Sequence, residues 1–297
     1  MKQAKLFYQY VWLVTLLQNQ KRLTLEEICQ RWDENPFSDG RPLNRISFFR
    51  HKEAILDMFG VIIECEKKTY KYYISNPEVL NDNSIERWML STLTVNTVLS
   101  DSASLRDRIL LESVPTGEEF LPTIIQAMHV NRKLRMGYQK HGTDGYEKVV
   151  CPYSVKRFRQ RWYMLAKNEK DEMRIYALDD RMIKVEMTNE TFKMPEDFSA
   201  EAYFAEYYGV TTDGTPLAHV VIRVSGWAPA YLRSVPLHHS QREIARTADY
   251  SDFALDIRPT DDFIDELMFY TECLEVLEPT DLRLKIRQIL AGTLNKY

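Results

Sequence analysis

The chain lacks any apolar run approaching the eighteen or so residues that a membrane-crossing helix requires, so it is not read as an integral helical membrane protein. Its start, Met1-Lys2-Gln3-Ala4-Lys5, leads into an amphipathic stretch rather than a signal core with a small-residue cleavage site. A cytoplasmic protein with no membrane partner is therefore expected. Cysteine is scarce and scattered: Cys29, Cys65, Cys151 and Cys273 form no CxxC pair, which argues against a disulfide framework or a zinc ribbon and for buried reduced thiols. With 10 Gly and 12 Pro in 297 residues there is no low-complexity or linker-like composition. No GxSxG, HExxH, GxGxxG or Walker loop occurs. His238-His239 is a lone pair whose neighbours point to opposite sides of an extended segment, and Glu118-Glu119 and Asp261-Asp262 suit the first turns of helices. No catalytic residue, metal site or cofactor is expected, and the chain is not read as an enzyme.

What is present is ordinary globular material, 44% hydrophobic and 28% charged, long enough for two or three domains. The net charge of −4 is unevenly placed: residues 1–80 carry twelve Lys and Arg against ten Asp and Glu, whereas the remainder is net acidic. An acidic remainder would repel a nucleic acid and leave one end to approach it.

That end reads as three helices and a hairpin. Leu6, Tyr10, Leu13, Val14 and Leu17 recur at helical spacing, and Thr24 with Glu27 forms a capping box for a second helix bearing Leu25, Ile28 and Trp32. A loop punctuated by Pro36, Gly40 and Pro42 follows. Asn44 opens a third helix that Gly60 closes. Its wheel gathers Phe48, Phe49, Ile55, Leu56 and Phe59 on one side and Ser47, Arg50, Ala54 and Asp57 on the other, with Asn44 and His51 at the edge. Two β-rich runs, 61–66 and 69–74, flank Lys67-Lys68. The order suits a winged helix-turn-helix that binds double-stranded DNA. Asn44, Arg45, Ser47, Arg50 and His51 would then reach the major groove, and Lys67, Lys68 and Lys71 would meet phosphates. The same residues also suit a small α+β packing unit with a solvated basic face.

From Lys133 the period changes to that of strands: 134–138, 148–153, 162–166 and 173–178, with loops at 141–145 and 168–171. The residues Tyr138, Cys151-Pro152-Tyr153, Arg161-Trp162-Tyr163-Met164-Leu165-Ala166 and Arg174-Ile175-Tyr176-Ala177-Leu178-Asp179-Asp180-Arg181-Met182 resemble a WYL domain, named for its Trp-Tyr-Leu triplet. Here Met164 ends the triplet and Asp179-Asp180 adds an acidic residue before Arg181, placing Arg181 in question as a ligand contact.

The resemblance implies an α+β multidomain regulator of bacterial transcription, with a winged helix-turn-helix over 1–80 and a helical connector over 81–117. An Sm-like β-barrel WYL domain over 118–212 would sense a nucleotide-like or single-stranded nucleic acid effector. The tail, 213–297, alternates strands and helices in a way that suggests a ferredoxin-like extension. Aromatics and arginines of the middle segment, Tyr153, Arg161, Tyr163, Arg174, Tyr176 and Arg181, suit base stacking and phosphate clamping. Trp162 is expected to pack while Tyr163 leans toward the pocket; the arginines equally suit ion pairs with Glu172, Asp179 or Asp180. A homodimer is expected. The competing expectation is a ligand-binding or protein-interaction module without DNA-binding activity.

Overall fold

The computed structural model describes residues 2–34, 38, 42–80, 87–92, 117–139, 142 and 144–297. The chain divides into two compact units, residues 1–112 and 113–297. Of the connector expected over 81–117, all but 87–92 and 117 lies outside the described residues.

In the first unit, α1 (Lys2–Gln20) buries Tyr10, Val11, Leu13, Val14 and Leu17. Leu6, expected on the same face, is 41% exposed, so the packed stripe begins one turn later. A short strand β1 (Leu23–Thr24) leads into α2 (Leu25–Asp33) through the expected capping box: the Thr24 hydroxyl accepts from the Glu27 amide at 3.2 Å, and the Glu27 carboxylate accepts from the Thr24 amide at 2.8 Å. Helix α3 (Arg45–Phe59) is capped by the Asn44 side chain, which accepts from the Ser47 amide at 2.8 Å, and it ends on Gly60 at φ 62°. Strands β2 (Ile63–Glu66) and β3 (Lys71–Ile74) pair antiparallel from Ile63↔Ile74 to Glu66↔Lys71, and the sheet order is β1-β3-β2.

The apolar stripe of α3 differs from the wheel drawn on sequence. Phe48, His51, Ile55 and Phe59 are buried, spaced three and four apart, while Phe49 (36%) and Leu56 (46%) are exposed. Burial is decided by the contacts of α1, α2 and the hairpin. Those rotate the buried stripe onto His51, whose ring sits against Tyr10 and Trp32.

In the second unit α4 (Leu121–His129) packs Ile124 and Ala127 onto an antiparallel sheet of five strands. These are β4 (Arg132–Tyr138), β5 (Tyr146–Phe158), β6 (Arg161–Lys167), β7 (Met173–Leu178) and β8 (Met182–Thr191), ordered β7-β6-β5-β4-β8. Strands β7 and β8 lie at opposite edges of that order, yet only Asp179, Asp180 and Arg181 join them. So short a connection forces the sheet to curl until its edges approach. Gly117, at φ +58°, lies where an added Cβ would come 2.2 Å from the Leu178 carbonyl oxygen, so the approach to α4 is pressed against the end of β7.

Beyond a short helix α5 (Ala200–Phe204) come β9 (Ala218–Ser225), α6 (Ala228–Ser234), β10 (Arg242–Arg246), β11 (Tyr250–Ile257), α7 (Asp261–Phe269), β12 (Leu274–Glu278) and α8 (Thr280–Leu294). This βαββαβ run forms an antiparallel sheet ordered β10-β11-β9-β12. Phe263, Ile264 and Leu267 of α7 cover one face with Ala228 and Leu232 of α6. Asp262, expected as a first-turn acid only, also accepts from the amides of Val210 and Thr211 at 2.7 and 2.6 Å. Beside it the Lys156 ammonium donates to the Gly209 carbonyl at 2.6 Å and sits 4.3 Å over the Phe204 ring. Burial pushes that lysine down to about 8. With Arg159 bonded to Glu266 at 2.7 Å, these contacts tie β5 and its hairpin to α7 and to the segment before β9.

Candidate nucleic-acid face and ligand cleft

On the first unit, the exposed arc of α3 holds Arg45, Phe49 and Arg50 in its N-terminal half and Glu53 and Asp57 in its C-terminal half. Arg45 places its guanidinium 5.7 Å over the Phe49 ring, and Ser47 is half-buried. Asn44 is exposed but its side chain is committed to the cap. Lys67 and Lys68 stand exposed in the β2–β3 turn; Lys71 is half-buried at the start of β3. Beside the hairpin turn, Glu66 is held below the usual carboxylate range, first by the Thr69 hydroxyl and then by Arg22, whose guanidinium lies 3.0 Å away.

His51 is a correction. It is only 7% exposed, its Nδ1 has no hydrogen-bond partner, and burial pushes its pKa down, so it is a neutral core residue and cannot reach a base edge. Helical spacing put it at the boundary between faces, and the packing of α1 and α2 settled the side. Tyr70 was not anticipated: at φ 53° in the hairpin tip it is 73% exposed beside the lysines.

On the second unit, the curled sheet leaves a cleft of about 400 Å³ lined by Tyr138, Tyr146, Lys148, Arg174, Tyr176 and Arg181. The register builds it. Tyr138 at the end of β4 pairs with Tyr146 at the start of β5, and Tyr138 meets Tyr176 of β7 edge-on at 5.4 Å. Tyr138 accepts a long bond, 3.3 Å, from the Ala177 amide. Tyr176 is 4% exposed and its hydroxyl is buried with no partner; burial pushes its pKa up to about 12. The Lys148 ammonium lies 4.7 Å over the Tyr146 ring. Arg174 bonds Glu172 at 2.9 Å in an exposed, weak pair.

Three of the six ligand residues expected from sequence, Arg174, Tyr176 and Arg181, therefore share this cleft. Tyr153 does not. A register shift between Pro152 and Ser154 breaks the alternation of β5, and the Tyr153 ring stacks on Phe192 at 5.8 Å with Phe198 edge-on. Arg161 and Tyr163 lie outside the lining: Arg161 sits 3.5 Å from Asp179, and Tyr163 is half-buried, its pKa raised by burial with Arg161 and Arg181 opposing. Trp162 packs against the core beneath the five-stranded sheet, and Met164, last of the triplet, is fully buried. Asp180 is exposed; it is Asp179 that turns inward and holds Arg181. Tyr146 and Lys148 were missed, because only the β4–β5 register across a loop brings them opposite Tyr138 and Met136.

All four cysteines are free. Among the described residues no helix is long and apolar enough to cross a membrane, and no three His, Cys, Asp or Glu side chains cluster in a metal-binding arrangement.

Residues 119–187, from α4 into β8, match the WYL domain family, so the chain carries a WYL domain there. Among solved structures, proteasome accessory factor B/C (PafBC) of Arthrobacter aurescens is 18% identical with a TM-score of 0.36, matching 95% of this chain but 45% of its own length. A CRISPR Cas-related protein is 12% identical with a TM-score of 0.40, over 99% of this chain and 82% of its own. This chain thus spans under half of the PafBC chain, and likenesses of this strength carry no argument about function. No curated protein matches the chain.

Proposed function

We propose that this chain is a DNA-binding transcriptional regulator whose WYL domain senses a nucleotide-like or single-stranded nucleic acid ligand. In this reading the first unit is a winged helix-turn-helix. The observation that carries it is the order α1-β1-α2-α3-β2-β3, which sets an exposed, basic N-terminal half of α3 and a lysine-tipped hairpin on one small unit. The N-terminal residues of such a helix reach base edges in the major groove while the hairpin meets phosphate.

The WYL domain is the sensor in this reading, its curled sheet an Sm-like barrel. Half-buried Tyr146 offers a ring for base stacking above buried Tyr138 and Tyr176; Lys148, Arg174 and Arg181 supply positive charge for phosphate. The unpartnered Tyr176 hydroxyl supports a polar ligand, because a buried hydroxyl without a partner is costly until something bonds it. The βαββαβ extension, ferredoxin-like in its strand order, is held to the barrel through Arg159 on Glu266 of α7, and Lys156 ties β5 to the segment before β9, so a ligand that moves β5 biases the extension as well. Regulation follows if the ligand prefers one arrangement of two DNA-reading heads over another. The reading places the protein in the bacterial cytoplasm as a homodimer on an operator duplex, with no catalytic role.

Exposed Phe49 and Leu56 on α3 favour the competing reading, an interaction module without DNA contact. Mobility-shift titration of the full chain against the gene's own upstream duplex, with and without mononucleotides and short single-stranded oligonucleotides, separates the two. Salt-sensitive duplex binding that shifts with one of these effectors supports the regulator; no duplex binding at low salt rejects it.

A further inference from the structure

The basic half of α3 is not basic alone. Ile46 is 67% exposed and Phe49 36% exposed, and on a helical wheel both fall between Arg45 and Arg50. Four residues in the first two turns thus make one strip: a cation, two large apolar side chains, and a second cation. Leu56, the other exposed apolar residue of α3, falls on the same side of the wheel as Phe49 but two turns further along, past Lys52 and Glu53 and outside the first two turns. An aliphatic side chain left this open gains nothing in the free protein, and burying one of its methylene equivalents is worth about 0.8 kcal/mol.

We infer that Ile46, supported by Phe49, reads thymine 5-methyl groups in the major groove, and that the recognised half-site carries thymine opposite the first two turns of α3. The inference rests on the DNA-binding reading above and adds the base feature that is read. Charge decides the occupant: Arg45 and Arg50 bracket the apolar pair, and Lys67 and Lys68 stand at the hairpin tip, so the matching surface is a polyanion. The apolar group that a duplex presents in its major groove is the thymine methyl. Phe49 is the weaker contact, because the Arg45 guanidinium already lies over its ring.

The test isolates the methyl. The full-length protein selects duplexes from a random-sequence pool, and the enriched site is synthesised with thymidine or with deoxyuridine, which lacks only that methyl. The wild-type chain is expected to bind the uracil form about fourfold more weakly for each methyl contacted, the equivalent of about 0.8 kcal/mol. Ile46→Ala, a change on an exposed helical position that leaves folding intact, is expected to bind both forms alike, at the level of wild type on uracil. Equal wild-type affinity for the two forms overturns the inference. So does an Ile46→Ala variant that keeps the methyl dependence but sediments as a smaller species, which would assign the strip to a second copy of the chain. If the pool yields no enriched duplex, the DNA-binding reading itself falls.

Discussion

Asp179 and Arg181 close on each other across the turn between β7 and β8. The guanidinium donates from Nε to Oδ1 at 2.9 Å and from Nη2 to Oδ2 at 2.7 Å, onto a carboxylate whose side chain is 1% exposed. The Arg181 amide adds a bond to the same Oδ1 at 3.1 Å. Arg181 is thereby both a structural clamp and part of the wall of the cleft.

Removing one partner strands the other. In Arg181→Ala the Asp179 carboxylate keeps only the backbone amide of residue 181 at 3.1 Å and Arg161 at 3.5 Å, and we expect a loss of about 2–3 kcal/mol in denaturant unfolding. Adding Asp179→Asn should recover part of that loss, since the amide carries no buried charge. A double variant as unstable as the sum of the singles would contradict the pairing.

The same pair sets an acid limit. Burial pushes the Asp179 pKa up, but bonds from the Arg181 side chain and amide outweigh it and hold it below the ordinary 3.8. Its contribution is complete above 3.8 and is lost as pH falls through the depressed folded value. Wild type should therefore lose stability faster than Asp179→Asn on the acid side of 3.8.

Tyr176→Phe should act with opposite signs on stability and binding. Deleting a buried, unpartnered hydroxyl leaves the free protein as stable or about 1 kcal/mol more stable. Nucleotide or oligonucleotide affinity should fall about tenfold or more, as expected for one lost hydrogen bond to a charged group. Thermal melting and calorimetry on one preparation read both signs, and unchanged affinity would remove Tyr176 from the site.

His51 gives the first unit its own pH dependence. Burial lowers its pKa below 6.5, so above 6.5 both folded and unfolded chains hold it neutral. Below that value the unfolded chain takes up the proton first, and stability falls with pH until the folded value is passed. His51→Leu should flatten this slope in urea unfolding monitored by tryptophan fluorescence. A slope unchanged by the substitution would show that other groups set it.

Gly117→Ala is expected to destabilise the second unit by more than about 2 kcal/mol. It adds a Cβ at φ +58°, where only glycine is unstrained, and drives that atom against the Leu178 carbonyl. A near-wild-type melting temperature would mean that this approach rearranges freely.

Local chemistry was the legible part of the fold. Thr24 and Glu27, Asn44 and Gly60 announce their helix ends because each cap is decided within four residues. The lysine-tipped hairpin and the strands from 134 to 178 followed from period and turn residues in the same way. Whatever depends on partners distant in sequence was not legible. His51 reads as a groove residue until the rings of Tyr10 and Trp32 enclose it, and Tyr153 reads as a pocket residue until the shift after Pro152 turns it onto Phe192. Tyr146 and Lys148 join the cleft only through the register of β4 on β5. Arg174, Tyr176 and Arg181 fall together in the cleft because they lie on one strand and its turn.

The most direct test of the central claim is the salt dependence of duplex binding, measured by fluorescence anisotropy with the full chain and a double variant, Lys67→Ala with Lys68→Ala. If α3 and the hairpin grip DNA, the logarithm of the association constant falls linearly with the logarithm of salt concentration. Removing two phosphate contacts should then flatten that slope by about two while weakening binding to all sequences alike. A wild-type chain with no salt-dependent binding, or a variant with an unchanged slope and affinity, would contradict it.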